Sequence, residues 1–112
     1  MQKFEYRSPR FTVDLPIVLH VDGDAIAGRC KEIGREGMKV QLARAVPVQT
    51  DGTVSLNYKD VSLELRCAVA HAGPDYDGLK FHFESDRDRN ALDRLIAQIS
   101  GPSDQRGPVL VR

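Results

Sequence analysis

The 112-residue chain has no tryptophan and only two cysteines, and its charges cancel at 16 of each sign. Each of these absences excludes something. Cys30 and Cys67 match neither the spacing of a zinc site nor the density of a disulfide framework. They are expected to be reduced, buried thiols of a cytoplasmic protein. A chain without net charge has no global field to draw in nucleic acid or an anionic membrane, so any anion must be held by a local cluster of Arg or Lys. Oligonucleotide-binding barrels stack bases on outward-facing aromatic rings. Here Tyr58, Phe81 and Phe83 share alternating positions with Leu and Val, which makes them core residues, and no DNA or RNA partner is expected. No apolar run approaches the ~18 residues of a membrane span, so membrane insertion is not expected. No apolar stretch follows Lys3, so no signal peptide is expected either.

The chemical motifs of enzymes are missing as well. There is no Gly-x-Ser-x-Gly elbow, no P-loop and no dinucleotide fingerprint. His20, His71 and His82 have no partners at metal-ligand spacing. Glu64, Asp75, Asp77 and Glu84 fall on strand exteriors and in turns, where carboxylates are ordinarily solvated. No enzymatic activity, metal or cofactor is expected.

What is present is a run of strands. Hydrophobic residues make up 41% and charged residues 29% of the chain, a globular balance that suits one domain with one core. Leu15 to Val21 and Ala25 to Ile33 flank the turn Asp22-Gly23-Asp24. Met38, Val40 and Leu42 alternate with polar residues after the break at Gly34-Arg35-Glu36-Gly37. Three further runs alternate strictly: Val54 to Tyr58, Val61 to Val69 and Leu79 to Phe83. Period two predicts half-buried antiparallel strands, and six of them in one short domain predict a small barrel or sandwich, either of which leaves few sheet edges exposed. The period then changes. Ser85 is placed to cap a helix, with Asp86 and Asp88 at its positive end. Leu92, Leu95, Ile96 and Ile99 form one apolar stripe, and Gly101-Pro102 ends it. The expected fold class is all-β: six antiparallel strands in a small barrel or sandwich, closed by a C-terminal helix. Residues 1–12 are read as a flexible arm, 13–100 as the barrel plus helix, and 101–112 as a disordered tail.

Two segments carry ligand chemistry. In the arm, Arg7 and Arg10 flank Ser8-Pro9. Guanidinium groups make bidentate hydrogen bonds to phosphate oxygens and to the O6/N7 edge of guanine. In the second segment, Glu32 ends a strand and Gly34-Arg35-Glu36-Gly37 turns into the next. A carboxylate suits the N1–H and N2–H donors of guanine, and glycines allow a ligand close to the backbone. Taken alone, each segment is ordinary: a solvated basic terminus and a hairpin turn.

Together they resemble the signature of the PilZ domain family, which has an Arg-x-x-x-Arg arm before the first strand and an Asp/Asn-x-Ser-x-x-Gly turn about twenty residues later. The likeness spans roughly residues 5 to 99. It implies a six-stranded barrel that binds cyclic di-GMP as a regulatory ligand and passes the signal on by protein–protein contact, here as a stand-alone adaptor with an unidentified protein partner. The implied ligand-binding residues are Arg7, Arg10, Glu32, Gly34, Arg35 and Gly37. Arg10 and Gly37 match the pattern; Tyr6, Glu32 and Gly34 stand where the family has Arg, Asp/Asn and Ser. Each lost contact costs on the order of 1–3 kcal/mol if a buried partner is left unpaired. The alternative is therefore a degenerate domain that binds no nucleotide and acts only through protein contacts.

Overall fold

The computed structural model describes residues 9–100. Alternation of apolar and polar residues builds six strands: β1 (Arg10–Val21), β2 (Asp24–Gly34), β3 (Gly37–Leu42), β4 (Asp51–Tyr58), β5 (Val61–Ala72) and β6 (Asp77–His82). One helix follows, α1 (Asp86–Ser100). Every strand pair is antiparallel, and the order β1-β2-β3-β6-β5-β4 closes on itself through β4 and β1. The expected six-stranded barrel with a C-terminal helix is the fold observed. Closure gives every strand a neighbour on both sides, which limits exposed edges; the closing seam is short, with β1 meeting β4 only from Ile17 to His20.

The inward set is the one the alternation predicts. Val61, Leu63, Leu65, Cys67 and Val69 of β5 are all buried, as are Val54 and Leu56 of β4 and Met38 and Val40 of β3. Phe81 is also buried, whereas Tyr58 and Phe83 are half-buried at the margin of the core. Phe83 meets Phe81 edge-on, with ring centroids 6.0 Å apart. The β1–β2 hairpin turns on Asp22 (φ 51°) and Gly23 (φ 84°). Positive φ at both central residues is the turn geometry that matches strand twist.

Strict period two would send Glu32 into the barrel behind Cys30. A bulge prevents this. Cys30 pairs with Val40 and Glu32 with Lys39, which leaves Lys31 as an extra residue. Ile33 thereby takes the inward position and is fully buried, while Glu32 is only half-buried. The Cys30 thiol donates to the Glu32 carbonyl at 3.2 Å, tying the two sides of the bulge together. A bulge of this kind re-aims one side chain without disturbing the strands on either side.

Residues 10–12 do not behave as an arm. Arg10, Phe11 and Thr12 pair with Gly34, Ile33 and Glu32, and Phe11 packs against the core. The reason is local: Phe11 and Val13 continue the inward alternation of β1, and β2 is long enough to offer them partners. Arg7, with the rest of residues 1–8, and the tail 101–112 lie outside the described residues. The strands β4, β5 and β6 also run past their apolar cores, to Asp51, Ala72 and Asp77, since backbone pairing (Asp51↔Ala68, Ala72↔Asp77) needs no apolar side chain.

The helix starts as predicted, with one difference in detail. Ser85 Oγ accepts from the Asp88 N–H at 3.4 Å, while the Asp88 carboxylate accepts from the N–H of Glu84, one residue before the cap. Leu92, Leu95 and Ile96 are buried and Ile99 half-buried. The helix packs on β5 and β1, and Asp93 pairs with Arg35 of the β2–β3 turn at 3.3 Å.

Candidate functional site

The two segments singled out in the sequence meet in space. Arg10 opens β1 directly opposite Gly34, the last residue of β2. Its guanidinium Nη1 lies 3.9 Å from Glu32 Oε1. The other oxygen of Glu32 receives the Lys39 ammonium at 3.3 Å, across the register pair the bulge creates. Lys39 in turn rests over the ring of Tyr76, 5.0 Å from its centroid. One carboxylate thus holds two cations on the outside of the barrel, and one of those cations covers an aromatic face. Ion pairs as exposed as these contribute at most about 1 kcal/mol each, so an anionic ligand can displace them at little cost.

Beside this cluster lies a cleft of about 590 Å³, within the range of small-molecule sites. Its walls come from β3, β6, the end of β5 and the loop 73–76, and its lining includes Arg10, Gly37, Lys39, His71, Tyr76 and Lys80. Three cations therefore face the same space. Glu36, Asp75 and Asp77 also border it, so the cleft offers acceptors as well as positive charge. Among the described residues no group of three His, Cys, Asp or Glu side chains is arranged to hold a metal ion.

The sequence-predicted residues fall in three groups. Arg10 and Gly37 line the cleft; Glu32 and Gly34 are not among its lining residues, though Glu32 pairs with Arg10 and Lys39, which are. Arg35 belongs elsewhere: it pairs with Asp93 and borders a separate cavity of about 110 Å³ with Phe83 and Arg89. Arg7 lies outside the described residues. Lys39, Tyr76 and Lys80 were not among the expected site residues. Lys39 was findable, because a hairpin turning through residues 34–37 places it opposite Glu32. Tyr76 also had a signal, as an aromatic residue that directly follows the Gly73-Pro74-Asp75 turn and so lies outside the strand alternation.

Gly34 and Gly37 have a role that precedes any ligand. Neither needs a positive φ. A Cβ on Gly37 would stand 2.1 Å from the Leu79 carbonyl oxygen, and one on Gly34 would stand 2.9 Å from the Pro9 carbonyl oxygen and 3.3 Å from Arg10 Cγ. Gly37 lets β3 lie against β6, and Gly34 lets the chain cross at Pro9 and Arg10. The close approach expected at this turn is thus one of protein backbone to protein backbone.

Cys30 and Cys67 are free and buried. Burial pushes the Cys30 thiol up to about 12 and that of Cys67 to about 11. Both stay protonated at neutral pH and are poor nucleophiles.

The profile described as the PilZ domain matches residues 6–98. In structure, the chain is similar to the PilZ domain of CeSA from a cellulose-synthesising bacterium. That likeness has a TM-score of 0.73 and 13% identity, and covers 84% of this chain and 100% of the other. It is also similar to an uncharacterised Legionella protein, with a TM-score of 0.59 and 22% identity over 80% of this chain and 90% of the other. At these identities the structural likeness establishes the fold alone. No curated protein sequence matches the chain.

Proposed function

The chain belongs to the PilZ domain family, and from that premise we propose that it binds cyclic di-GMP on the outer barrel wall beside Arg10 and transmits binding to a protein partner in the cytoplasm. PilZ domains are regulatory binding domains that in general receive this dinucleotide. The observation that carries the reading is the meeting of Arg10 and Glu32 at the mouth of a cleft with two further cations.

In this reading Arg10 leaves its 3.9 Å contact with Glu32 and takes a phosphodiester or a guanine edge in bidentate hydrogen bonds. Glu32, freed of Arg10, accepts from guanine N1–H and N2–H. Lys39 and Lys80 neutralise the remaining phosphate charge. Arg7, outside the described residues, is the second guanidinium in this reading, and the bound nucleotide alters the surface offered to a partner.

A second reading, a domain that signals without nucleotide, is favoured by one specific observation. The family's Ser position is Gly34, and the space its side chain would need is occupied by the Pro9 carbonyl. Calorimetric titration with cyclic di-GMP separates the two. The receptor reading predicts saturable binding with a Kd of about 1–100 μM, weakened at least tenfold in Arg10→Ala. Absence of heat at millimolar ligand with folded protein selects the second reading. A pull-down that recovers the same partner with and without nucleotide, and with Arg10→Ala, then supports it.

A further inference from the structure

Tyr76 is one of only two large hydrophobic side chains classed as exposed among the described residues, at 39%. Its position is fixed by the backbone. The Gly73 N–H donates to the Tyr76 carbonyl at 3.0 Å and to the Asp77 carboxylate at 3.3 Å, which closes the loop and presents the ring outward. The ring lines the same cleft as Arg10 and Lys80. One of its faces is turned toward the Arg10–Glu32 cluster, because the ammonium 5.0 Å from its centroid is the same Lys39 ammonium that pairs with Glu32. An aromatic face held at the wall of a cleft that also presents Arg10, Lys39 and Lys80, and covered by a lysine ammonium, can serve as a stacking platform for a planar base.

We propose that Tyr76 is a base-stacking residue of this site. One guanine of cyclic di-GMP lies against the face that Lys39 now covers, its Watson–Crick edge reaches Glu32, and the displaced Lys39 ammonium moves to the phosphodiester. This rests on the receptor reading above and extends it. It gives the site a purine contact that depends on neither Tyr6 nor Gly34, the positions where the chain departs from the family pattern. The same geometry explains why Lys39 makes two weak contacts: both are surrendered together when the nucleotide enters.

The test is calorimetric titration of the wild type, Tyr76→Ala, Tyr76→Leu and Tyr76→Phe with cyclic di-GMP at fixed salt, with thermal unfolding to show that each variant folds. Loss of one stacked base weakens binding about five- to 150-fold in the Ala and Leu variants, while Phe stays within about threefold of the wild type. The ligand's purine H8 resonance should move upfield on binding to wild type and to Tyr76→Phe but not to Tyr76→Leu. If Tyr76→Ala proves unstable, the Leu and Phe variants decide, since both fill the space and only one has a π face. Binding to Tyr76→Leu as tight as to wild type overturns the assignment and leaves the receptor reading standing. A wild type that binds no cyclic di-GMP overturns both.

Discussion

Replacing Gly37 with alanine separates a glycine kept for the fold from one kept for a ligand. The added Cβ would lie 2.1 Å from the Leu79 carbonyl oxygen, 3.2 Å from Leu79 C and 3.3 Å from Lys80 Cα. All three are backbone atoms, so no side chain can rotate away, and the β3–β6 seam has to open by about 1 Å to restore ordinary contact. That seam is short. It comprises the pairs Gly37↔Lys80, Met38↔Leu79, Lys39↔Gly78 and Val40↔Asp77, extended by the Phe81 N–H donating to Glu36 O at 2.9 Å. Overpacking costs about 1–3 kcal/mol, and each ladder hydrogen bond weakened adds about 1 kcal/mol. A loss of about 3–5 kcal/mol is expected from a domain whose total stability is about 5–15 kcal/mol. Thermal unfolding followed by circular dichroism should show a Tm lower by about 12 °C or more. A variant that melts within about 2 °C of the wild type yet has lost cyclic di-GMP affinity refutes the reasoning, and would show that Gly37 makes room for the ligand.

Two further outcomes follow from the same geometry. Gly34→Ser installs the family's residue but places its Cβ 2.9 Å from the Pro9 carbonyl oxygen; it should cost about 1 kcal/mol of stability in urea unfolding and, by shifting Arg10, should not strengthen cyclic di-GMP binding. A gain of about tenfold or more in calorimetry contradicts this. The buried thiols predict alkaline weakening. Burial holds the folded pKa values at about 12 for Cys30 and about 11 for Cys67, above the ordinary thiol value of 9.0. Their stabilisation is therefore complete below pH 9 and is lost as pH rises toward the folded values. Within that window stability falls by about 1.4 kcal/mol per pH unit for each thiol. Urea unfolding across the window, with Cys67→Ala removing about half of the slope, checks it; a slope unchanged by that substitution contradicts it.

The barrel was legible because its pattern is local. Val61 to Val69 can be read as one inward face from the sequence alone, and so can the helix stripe from Leu92 to Ile99. The start of β1 was not legible in the same way. Arg7-Ser8-Pro9-Arg10 reads as loop chemistry, and nothing in those residues reveals that β2 extends far enough to pair with Arg10. The site was half legible. Arg10 and Glu32 could be paired from their chemistry, and the bulge that turns Glu32 outward explains how a residue at an inward position in period two comes to sit beside Arg10. The crowding of the glycines by Leu79 and Pro9 was not legible, since it is a contact between segments distant in sequence. Arg35 was placed in the site by proximity in the turn, but Asp93 on α1 draws it away. Lys39 on β3 and Tyr76 in the loop before β6 meet only once those two strands pair, so their contact has no counterpart in any sequence window.

The most direct test of the central claim is a titration of the isotopically labelled chain with cyclic di-GMP, read as backbone amide chemical-shift changes residue by residue. The account predicts saturable shifts concentrated at Arg10, Glu32, Gly34 to Lys39 and Tyr76, with the opposite wall at β4 unmoved. Amides that stay in place up to millimolar nucleotide, or shifts centred on α1 and β4, contradict it.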